Sequence, residues 1–353
     1  MNLQSGVIFV GCGASSSIPI LNHVLSSEKY NCLCNSLVKT SDCDRKNHRN
    51  NVSLLIRMPN LDPIGDKYYN ILIDLGKTFR DAVLSIFPSY GISSIDSVLI
   101  THHHDDAVAG IGSIQFFYHK NKIPIYMNPE TLSLVNSRFK STIMNHSYEK
   151  DSDGSINKMQ KYEINVFNLN NGCLERVENK SDIDKYCNIS SSIKDTEFKN
   201  IEFIINGIKI TAFPMNHGQC ICMGYCFHFP DTNLIYISDY TFPMITSSVE
   251  FLYKTRNKKT ILILDSISYS KISNAHANIK QSLEFITDFS PDYVYFIGMA
   301  CSLEYKEGNE MLNKELINLK NESKCINTVL MEIAYDGLFL PINFDSFLLS
   351  NGN

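Results

Sequence analysis

The sequence contains no apolar run long enough to span a membrane and no continuous basic stripe. A transmembrane helix needs about 20 consecutive apolar residues, and extensive nucleic-acid binding needs clustered lysine and arginine. The formal net charge is −5 at pH 7, with 32 Lys plus Arg against 37 Asp plus Glu. These absences argue against membrane insertion and against the wrapping of nucleic acid, while a small phosphate ester stays compatible with the composition.

The N-terminus also lacks the charged leader and apolar segment of a secretory signal, and it passes directly into a strand-like run at 6–10. We therefore expect a cytoplasmic protein. The 11 cysteines are then better interpreted as thiols or metal ligands than as a disulfide framework, because the cytoplasm keeps thiols reduced.

Short apolar runs bounded by turn residues alternate with helix-like stretches, a pattern that predicts an α/β protein. In the first third of the chain, strand runs at 52–56, 70–74 and 97–101 alternate with helical patterns at 78–89 and 108–119. No internal repeat interrupts this order.

The segment at about 141–200 is polar and rich in Asn, Ser, Lys and Asp, and only 162–169 within it resembles a strand. We interpret this segment as a partly disordered insertion.

Beyond it, Asn206-Gly207 predicts a type I′ hairpin turn within 201–213. Later strands are predicted at 223–229, 234–238, 261–264, 293–297 and 328–333, with helices at 279–289 and 310–319. We expect one domain over residues 1–353, interrupted by the polar segment rather than divided by it.

Histidines and carboxylates are concentrated directly after one predicted buried strand, in Thr101-His-His-His-Asp-Asp106. In an extended backbone His102 and His104 point the same way, while His103 points elsewhere. Imidazole and carboxylate ligands suit zinc, and they suit iron or manganese as well. For this run considered alone, a solvated histidine-rich turn is the alternative.

Two more polar residues follow apolar strands further along the chain. His217 lies beyond the strand at 208–213, and Asp239 ends the strand at 234–238. A single residue of this kind is commonly a turn residue or a cap. Together with the histidine run, however, they predict a metal centre.

The order and spacing of these motifs resemble the metallo-β-lactamase superfamily. The resemblance is greatest to its branch of cyclic phosphodiesterases from phosphonate breakdown and related eukaryotic hydrolases, and it covers nearly the whole chain except the polar segment. It implies an α/β fold of the four-layer αββα sandwich type. Besides the histidine block, the motifs that carry it are Gly11-Cys-Gly-Ala-Ser-Ser-Ser-Ile-Pro19, Arg49-Asn-Asn-Val-Ser53, Ile71-Leu-Ile-Asp-Leu-Gly76, Asn216-His-Gly218, Ser238-Asp239, Leu264-Asp-Ser266 and Ala334-Tyr-Asp-Gly337.

By this resemblance, His102, His104 and His217 hold one metal ion, and Asp239 bridges toward a second ion that Asp106 also serves. The sequence departs from the family pattern at two ligands of that second ion. Ala107 and Gly298 stand where the family has histidine. We therefore expect one firmly held zinc ion, with manganese or iron as alternatives, and a second ion that is weakly held or absent.

Cys32, Cys34 and Cys43 lie close together in the sequence and are compatible with three thiolate ligands. In the resembled family, a structural zinc is held by three early cysteines and a histidine three positions after the late metal ligand. Counting three positions from Gly298 reaches Cys301. The resemblance thus implies a structural zinc on four cysteines, with four free thiols as the alternative.

Cys220, Cys222 and Cys226 form a second group of cysteines. Cys222 and Cys226 share one face of a predicted strand, which favours core or pocket-lining positions over metal binding.

Three histidines and a carboxylate around a metal ion lower the pKa of a bound water to about 7, so that a metal-bound hydroxide is the expected nucleophile. His276 precedes the predicted helix at 279–289, where the resembled phosphodiesterases carry a catalytic histidine. The resemblance therefore implies that His276 is the general acid, and we count Asp106 with it as catalytic. A surface histidine is the alternative for His276, and Arg49 either contacts phosphate or makes a structural salt bridge.

The motifs favour hydrolysis of a small, cyclic phosphodiester. Three alternatives stay open: tRNA 3′-end processing, thioester or lactam hydrolysis, and a non-catalytic scaffold whose second metal site has decayed. We expect a small phosphodiester as the partner of the site, no membrane partner and no extensive nucleic-acid binding. A homodimer stays open.

Overall fold

Two β-sheets form the centre of the computed structural model, which describes residues 5–39, 45–117, 122–143, 146–150, 156–160, 162–177, 180–187 and 198–344. In chain order, the strands of the first sheet are β1 (Gly6–Gly11), β2 (Ser53–Pro59), β3 (Tyr68–Ile73), β4 (Ser97–Leu99), β5 (Ile123–Met127), β8 (Tyr162–Asn168), β9 (Cys173–Val177) and β17 (Phe339–Pro341). Their spatial order is β17-β1-β2-β3-β4-β5-β8-β9.

The second sheet keeps its strands in chain order. They are β10 (Ile201–Ile205), β11 (Ile208–His217), β12 (Cys220–His228), β13 (Thr232–Ile237), β14 (Lys259–Asp265), β15 (Tyr293–Ile297) and β16 (Leu330–Ile333). The pairs from β10 to β13 are antiparallel, and those from β13 to β16 are parallel. A separate antiparallel ribbon joins β6 (His146–Lys150) to β7 (Ile156–Gln160).

Helices cover the outer faces of both sheets, except for the first two helices, which contribute no residue to the cores there. Within the described residues they are α1 (Leu21–Leu25), α2 (Leu33–Lys39), α3 (Phe79–Ile86), α4 (Asp105–Val108), α5 (Pro129–Ile143), α6 (Lys180–Cys187), α7 (Thr246–Lys254), α8 (Ile279–Phe289) and α9 (Tyr305–Asn321), with 3₁₀ turns at Arg45–Asn47, Phe87–Tyr90, Ile111–Phe116 and Thr255–Asn257. None of the helices in this part of the chain has both the length and the apolar character needed to cross a bilayer.

Strand alternation divides the apolar side chains among three cores. In β2, Leu54 and Ile56 face the core between the two sheets, whereas Leu55 faces the helices outside the first sheet. In β15, Tyr295 faces the second sheet's inner side and Phe296 faces α8 and α9. Successive side chains of a strand point to opposite faces, so each sheet packs on both sides. The predicted four-layer αββα sandwich is confirmed.

Residues 162–177 correct the interpretation of the whole 141–200 segment as an insertion. β8 pairs in parallel with β5 and β9 pairs with β8, so this part extends the first sheet. Ile164 and Val166 are buried in the core beneath the outer helices. The strand predicted at 162–169 is therefore confirmed, but it belongs to the domain's own sheet. Residues 144–145, 151–155, 161, 178–179 and 188–197, on which the prediction of disorder also falls, lie outside the described residues.

Two local predictions had different outcomes. The type I′ turn is confirmed, because Asn206 and Gly207 have φ values of 44° and 75°. The helix predicted at 108–119 is wrong over 108–117, the part of it that the structure describes: α4 ends at Val108, and a 3₁₀ turn follows at Ile111–Phe116. Gly110 lies against the backbone of Gly76, where an added Cβ would meet the Gly76 carbonyl oxygen at 2.5 Å. The backbone N–H of Gly110 donates to the carbonyl oxygen of Leu75 at 2.8 Å, and not to a carbonyl of α4, so the α-helix does not continue.

Arg49 is a structural residue. It is 0% exposed, and its guanidinium donates to the carbonyl oxygens of Ala300 and Leu303 at 3.0 and 2.9 Å. It also donates to the side-chain oxygen of Asn47 at 3.3 Å. The side chain thus ties the segment before β2 to the turn after β15 and is not available to a phosphate.

We predict that Arg49→Lys lowers the free energy of unfolding by about 3 kcal/mol, because a single ammonium group cannot satisfy carbonyl acceptors arranged for a planar guanidinium. Chemical denaturation of both proteins measures this. Arg80→Lys is the matched control, since Arg80 is exposed, and its change should stay within about 0.5 kcal/mol. Equal stabilities of the Arg49→Lys variant and the wild type would contradict the assignment.

Candidate metal centre

Four potential metal ligands converge at one edge of the sandwich because the strands that carry them end there. His102 and His104 lie in the loop between β4 and α4, His217 ends β11, and Asp239 follows β13. One candidate ligand atom from each residue lies within 4.8 Å of all the others. The structure thus brings together the residues that the sequence analysis assigned to the first metal ion.

The atoms of this cluster fit a divalent cation. Nε2 of His102 and Nε2 of His217 each lie 3.3 Å from Oδ2 of Asp239, and Nε2 of His217 lies 3.1 Å from Nδ1 of His104. His102 Nε2 and Asp239 Oδ2 are buried, yet neither has a hydrogen-bond partner within the described residues. Burying polar atoms without partners is costly. A bound metal ion would remove that cost.

Neighbouring groups orient two of the imidazoles toward the centre. The Thr101 hydroxyl donates to Asp74 Oδ2 at 2.8 Å, and the same hydroxyl oxygen lies 2.9 Å from Nδ1 of His102. Because this oxygen accepts from Nδ1, Nε2 of His102 keeps its lone pair for the centre. His217 is oriented in the same way. Its Nδ1–H donates to the carbonyl oxygen of Ala275 at 2.5 Å, so Nε2 keeps its lone pair for the centre.

Burial also keeps these imidazoles neutral. It lowers the pKa of His102 to about 3, although Asp239 opposes that shift. The pKa of His217 is lowered for the same reason. Neutral imidazole is the form that binds a metal ion.

A second group of side chains adjoins the first through Asp239. Its members are Asp239, Asp265 and His276, whose candidate ligand atoms also lie within 4.8 Å of one another. Nδ1 of His276 lies 3.0 Å from Asp265 Oδ2 and 3.9 Å from Asp239 Oδ1. Asp239 therefore turns one oxygen toward each group. Burial lowers the pKa of His276, but the hydrogen bond with Asp265 and the negative charges of Asp265, Asp239 and Asp106 together outweigh it and raise the pKa to about 9.

The side chain of Asp265 fills the space next to Gly298, the position at which the resemblance led us to expect a histidine. Gly298 has a φ of 73°, and a Cβ built on it would lie 1.8 Å from Asp265 Oδ1. Ala107 is buried and carries no donor atom. Because His276 and Asp265 bind each other, we interpret them as a hydrogen-bonded pair rather than as replacements for the missing ligands.

Asp265 lies in the Leu264-Asp-Ser266 motif, but the sequence analysis predicted no role for it. The available signal was the one used for Asp239, a carboxylate at the end of an apolar strand. Asp106 does not belong to any of the ligand clusters among the described residues; it influences Asp265 and His276 only as a nearby negative charge. Asp105 is paired with Arg138 instead.

A separate cluster joins the N-terminal helices to the turn after β15. It contains His23, Cys32, Cys34 and Cys301, with candidate ligand atoms within 4.8 Å. His23 Nδ1 lies 3.3 Å from the sulfur of Cys32 and 3.4 Å from that of Cys301. The set of one imidazole and three thiols is typical of structural zinc.

Sequence reasoning placed Cys43 in this cluster, but Cys43 lies outside the described residues. His23 was missed because it stands alone in α1 with no motif around it. Only the fold brings it to the cysteines, where its ring also stacks on Tyr30 with 4.2 Å between the ring centroids.

A family model described as anti-Pycsar protein Apyc1 matches residues 61–292. The chain belongs to this family. The matched region contains His102, His104, His217 and Asp239 together with the Asp265–His276 pair, whereas the residues of the cysteine cluster lie outside it.

Solved structures similar to the chain share its fold. A diphosphatase from the PhnP family has a TM-score of 0.63 at 20% identity, covering 96% of this chain and 98% of that one. The metallo-β-lactamase fold protein YhfI from Bacillus subtilis has a TM-score of 0.53 at 13% identity, with coverages of 96% and 99%. Zinc-bound PqqB from Methylobacterium extorquens has a TM-score of 0.58 at 13% identity, with coverages of 95% and 99%. These similarities establish the metallo-β-lactamase fold.

A curated relative, an octanoyltransferase from Porphyromonas gingivalis, is 28% identical over 141 residues. The match covers 40% of this chain and 24% of the relative. The chain thus spans about a quarter of that protein's length.

We predict that Thr101→Val weakens metal binding about 10- to 100-fold, because His102 loses the hydrogen bond that orients it. Competition with a chromophoric chelator measures the affinity. The control is Thr211→Val, which removes a buried hydroxyl 2.8 Å from Nε2 of His228 and should leave metal affinity unchanged. Equal affinities for wild type and Thr101→Val would contradict the orienting role.

Elemental analysis of purified protein should find about two zinc ions per chain, one in each four-ligand cluster. We expect His104→Ala to lose one of them and Cys301→Ser the other. His23→Gln should behave like Cys301→Ser, while Cys43→Ser should retain both ions. Loss of zinc from Cys43→Ser but not from His23→Gln would instead support the four-cysteine site.

Proposed function

We propose that the protein is a metal-dependent hydrolase that cleaves a small, cyclic phosphodiester. The observation that carries this proposal is the contact between two groups of different chemistry. His102, His104, His217 and Asp239 offer a complete ligand set for one ion, and the Asp265–His276 pair adjoins them through Asp239.

Zinc is the ion that we propose for the ligand set, since three imidazoles and a carboxylate suit its coordination, and manganese or iron are alternatives. When bound, such an ion supplies Lewis acidity and lowers the pKa of a water molecule at the site to about 7. The protein's contribution is to hold the ligands. Asp74 and Thr101 orient His102, and the carbonyl group of Ala275 orients His217.

His276 is the residue that we assign to protonation of the leaving group. Its Nδ1 is occupied by Asp265, so Nε2 is the nitrogen left to deliver a proton. The adjacent carboxylates of Asp265 and Asp239 favour the protonated ring. Asp265 acts through His276 and is therefore a positioning residue. Asp106, which the sequence analysis counted as catalytic, acts on this pair only through its charge and is likewise a positioning residue.

The proton donor favours a phosphodiester over a thioester. An alkoxide leaves a phosphodiester as a strong base and needs a proton, whereas a thiolate is stable without one. Processing of tRNA is disfavoured because the net charge is −5 and phosphate-backbone binding needs clustered basic residues. A non-catalytic scaffold would have no use for a proton donor beside a metal-ligand set.

We predict that His276→Gln slows hydrolysis of a cyclic phosphodiester with a sugar alkoxide leaving group by about 10²- to 10⁴-fold. Cleavage of bis(p-nitrophenyl) phosphate should fall far less, because p-nitrophenolate leaves without a proton. Steady-state kinetics on both substrates, with zinc supplied, measure the two effects. Asp265→Asn should show the same dependence on leaving group with a smaller loss.

His228→Gln provides the matched control, since His228 is a partly buried histidine bonded to Thr211 and Asn233 and should retain full activity on both substrates. An equal loss on both esters in His276→Gln would contradict the proton-donor role. If the wild-type protein binds zinc but hydrolyses no phosphodiester, the hydrolase proposal is wrong and the non-catalytic scaffold is supported.

A further inference from the structure

We propose that His103, His104 and Cys220, with Glu130 beside them, form an additional metal-binding position that takes a thiophilic divalent ion such as zinc or cadmium. One candidate ligand atom from each of His103, His104 and Cys220 lies within 4.8 Å of the other two. This cluster is distinct from the cysteine cluster of the N-terminal helices. It shares only His104 with the catalytic ligand set, and the thiol of Cys220 also donates to the backbone carbonyl oxygen of His217.

Three separate elements bring these side chains together. His103 lies in the loop after β4, and Cys220 begins β12, where it pairs across the hairpin with His217. Glu130 lies in the first turn of α5, and its carboxylate accepts a hydrogen bond from the backbone N–H of Ile221. Asn128 donates to the carbonyl oxygen of Ile221 at 3.0 Å. The start of α5 is thereby tied to the start of β12.

The polar atoms of this cluster have few partners. Nδ1 of His103 is buried and has no hydrogen-bond partner within the described residues; Oε1 of Glu130 is 3.7 Å away from it. Cys220 is 8% exposed, and its sulfur lies 3.2 Å from the carbonyl oxygen of His217. A cation would satisfy the buried imidazole nitrogen and draw the thiol in as a thiolate.

The donor types decide which ion fits. Two imidazoles, one thiolate and one carboxylate match the tetrahedral ligand sets of zinc. A thiolate selects thiophilic ions over magnesium or calcium. The catalytic ligand set contains no sulfur, so the two positions differ in their preference among metals.

His104 is common to both clusters, and its Nδ1 lies 3.1 Å from His217 Nε2. An ion at the additional position competes for this imidazole with an ion at the catalytic position. Excess zinc should therefore inhibit the enzyme, a consequence that rests on the proposed hydrolase function. The binding of the ion does not rest on it.

Titration of the zinc-loaded protein with cadmium tests the site, followed by the ultraviolet charge-transfer absorption of cadmium thiolates. The wild type should bind about one more thiolate-coordinated cadmium ion per chain than Cys220→Ser does. Both proteins contain the cysteine cluster, so its contribution to the absorption is removed when the two titrations are subtracted. His103→Gln should weaken the same binding at least tenfold. Cys173→Ser, which removes an exposed thiol, is the control and should titrate like the wild type.

Identical titrations of wild type, Cys220→Ser and His103→Gln would overturn the proposal. In the activity measurement, excess zinc should inhibit the wild type but not Cys220→Ser, and equal inhibition of both would refute the sharing of His104. If the wild type binds more cadmium than Cys220→Ser but hydrolyses no phosphodiester, the additional metal site is supported and the proposed function is wrong.

Discussion

The buried carboxylate of Asp239 is the point on which the site depends. Its Oδ2 contacts the imidazoles of His102 and His217, and its Oδ1 faces His276. A carboxylate that is only 4% exposed is stable as an anion only among cations or donors. Asp239 therefore lies between the candidate metal ligands and the Asp265–His276 pair, and the carboxyl ends of four strands, β4, β11, β13 and β14, meet around it.

The strand ends can converge around Asp239 because each sheet is packed on both faces. Inner side chains of the two sheets form one core, while outer side chains pack against helices on either side. With both sheets covered, the strand ends are the places where polar groups can gather without disturbing a core. Arg49 extends this arrangement, because it ties the segment before β2 to the turn that carries Cys301.

Gly298 lies directly against the side chain of Asp265. The carboxylate of Asp265 fills the space that a side chain at this position would enter, and the positive φ of Gly298 disfavours any other residue there. Restoring a histidine at that position alone would thus strain the backbone and displace Asp265. The glycine at position 298 and the placement of the Asp265–His276 pair are parts of one local arrangement.

Local patterns in the sequence determined much of this protein. Strand alternation predicted most elements of the two sheets, the Asn206-Gly207 pair predicted its turn, and polar residues at strand ends indicated a metal centre, because these signals depend on neighbours in the chain. The individual ligands were assigned by the family resemblance. Only the tertiary structure decided the rest. It joined 162–177 to the first sheet, brought His23 to the cysteines and set Asp265 against His276. Such contacts join residues far apart in the chain, and their partners follow from strand order and packing, which no local pattern records.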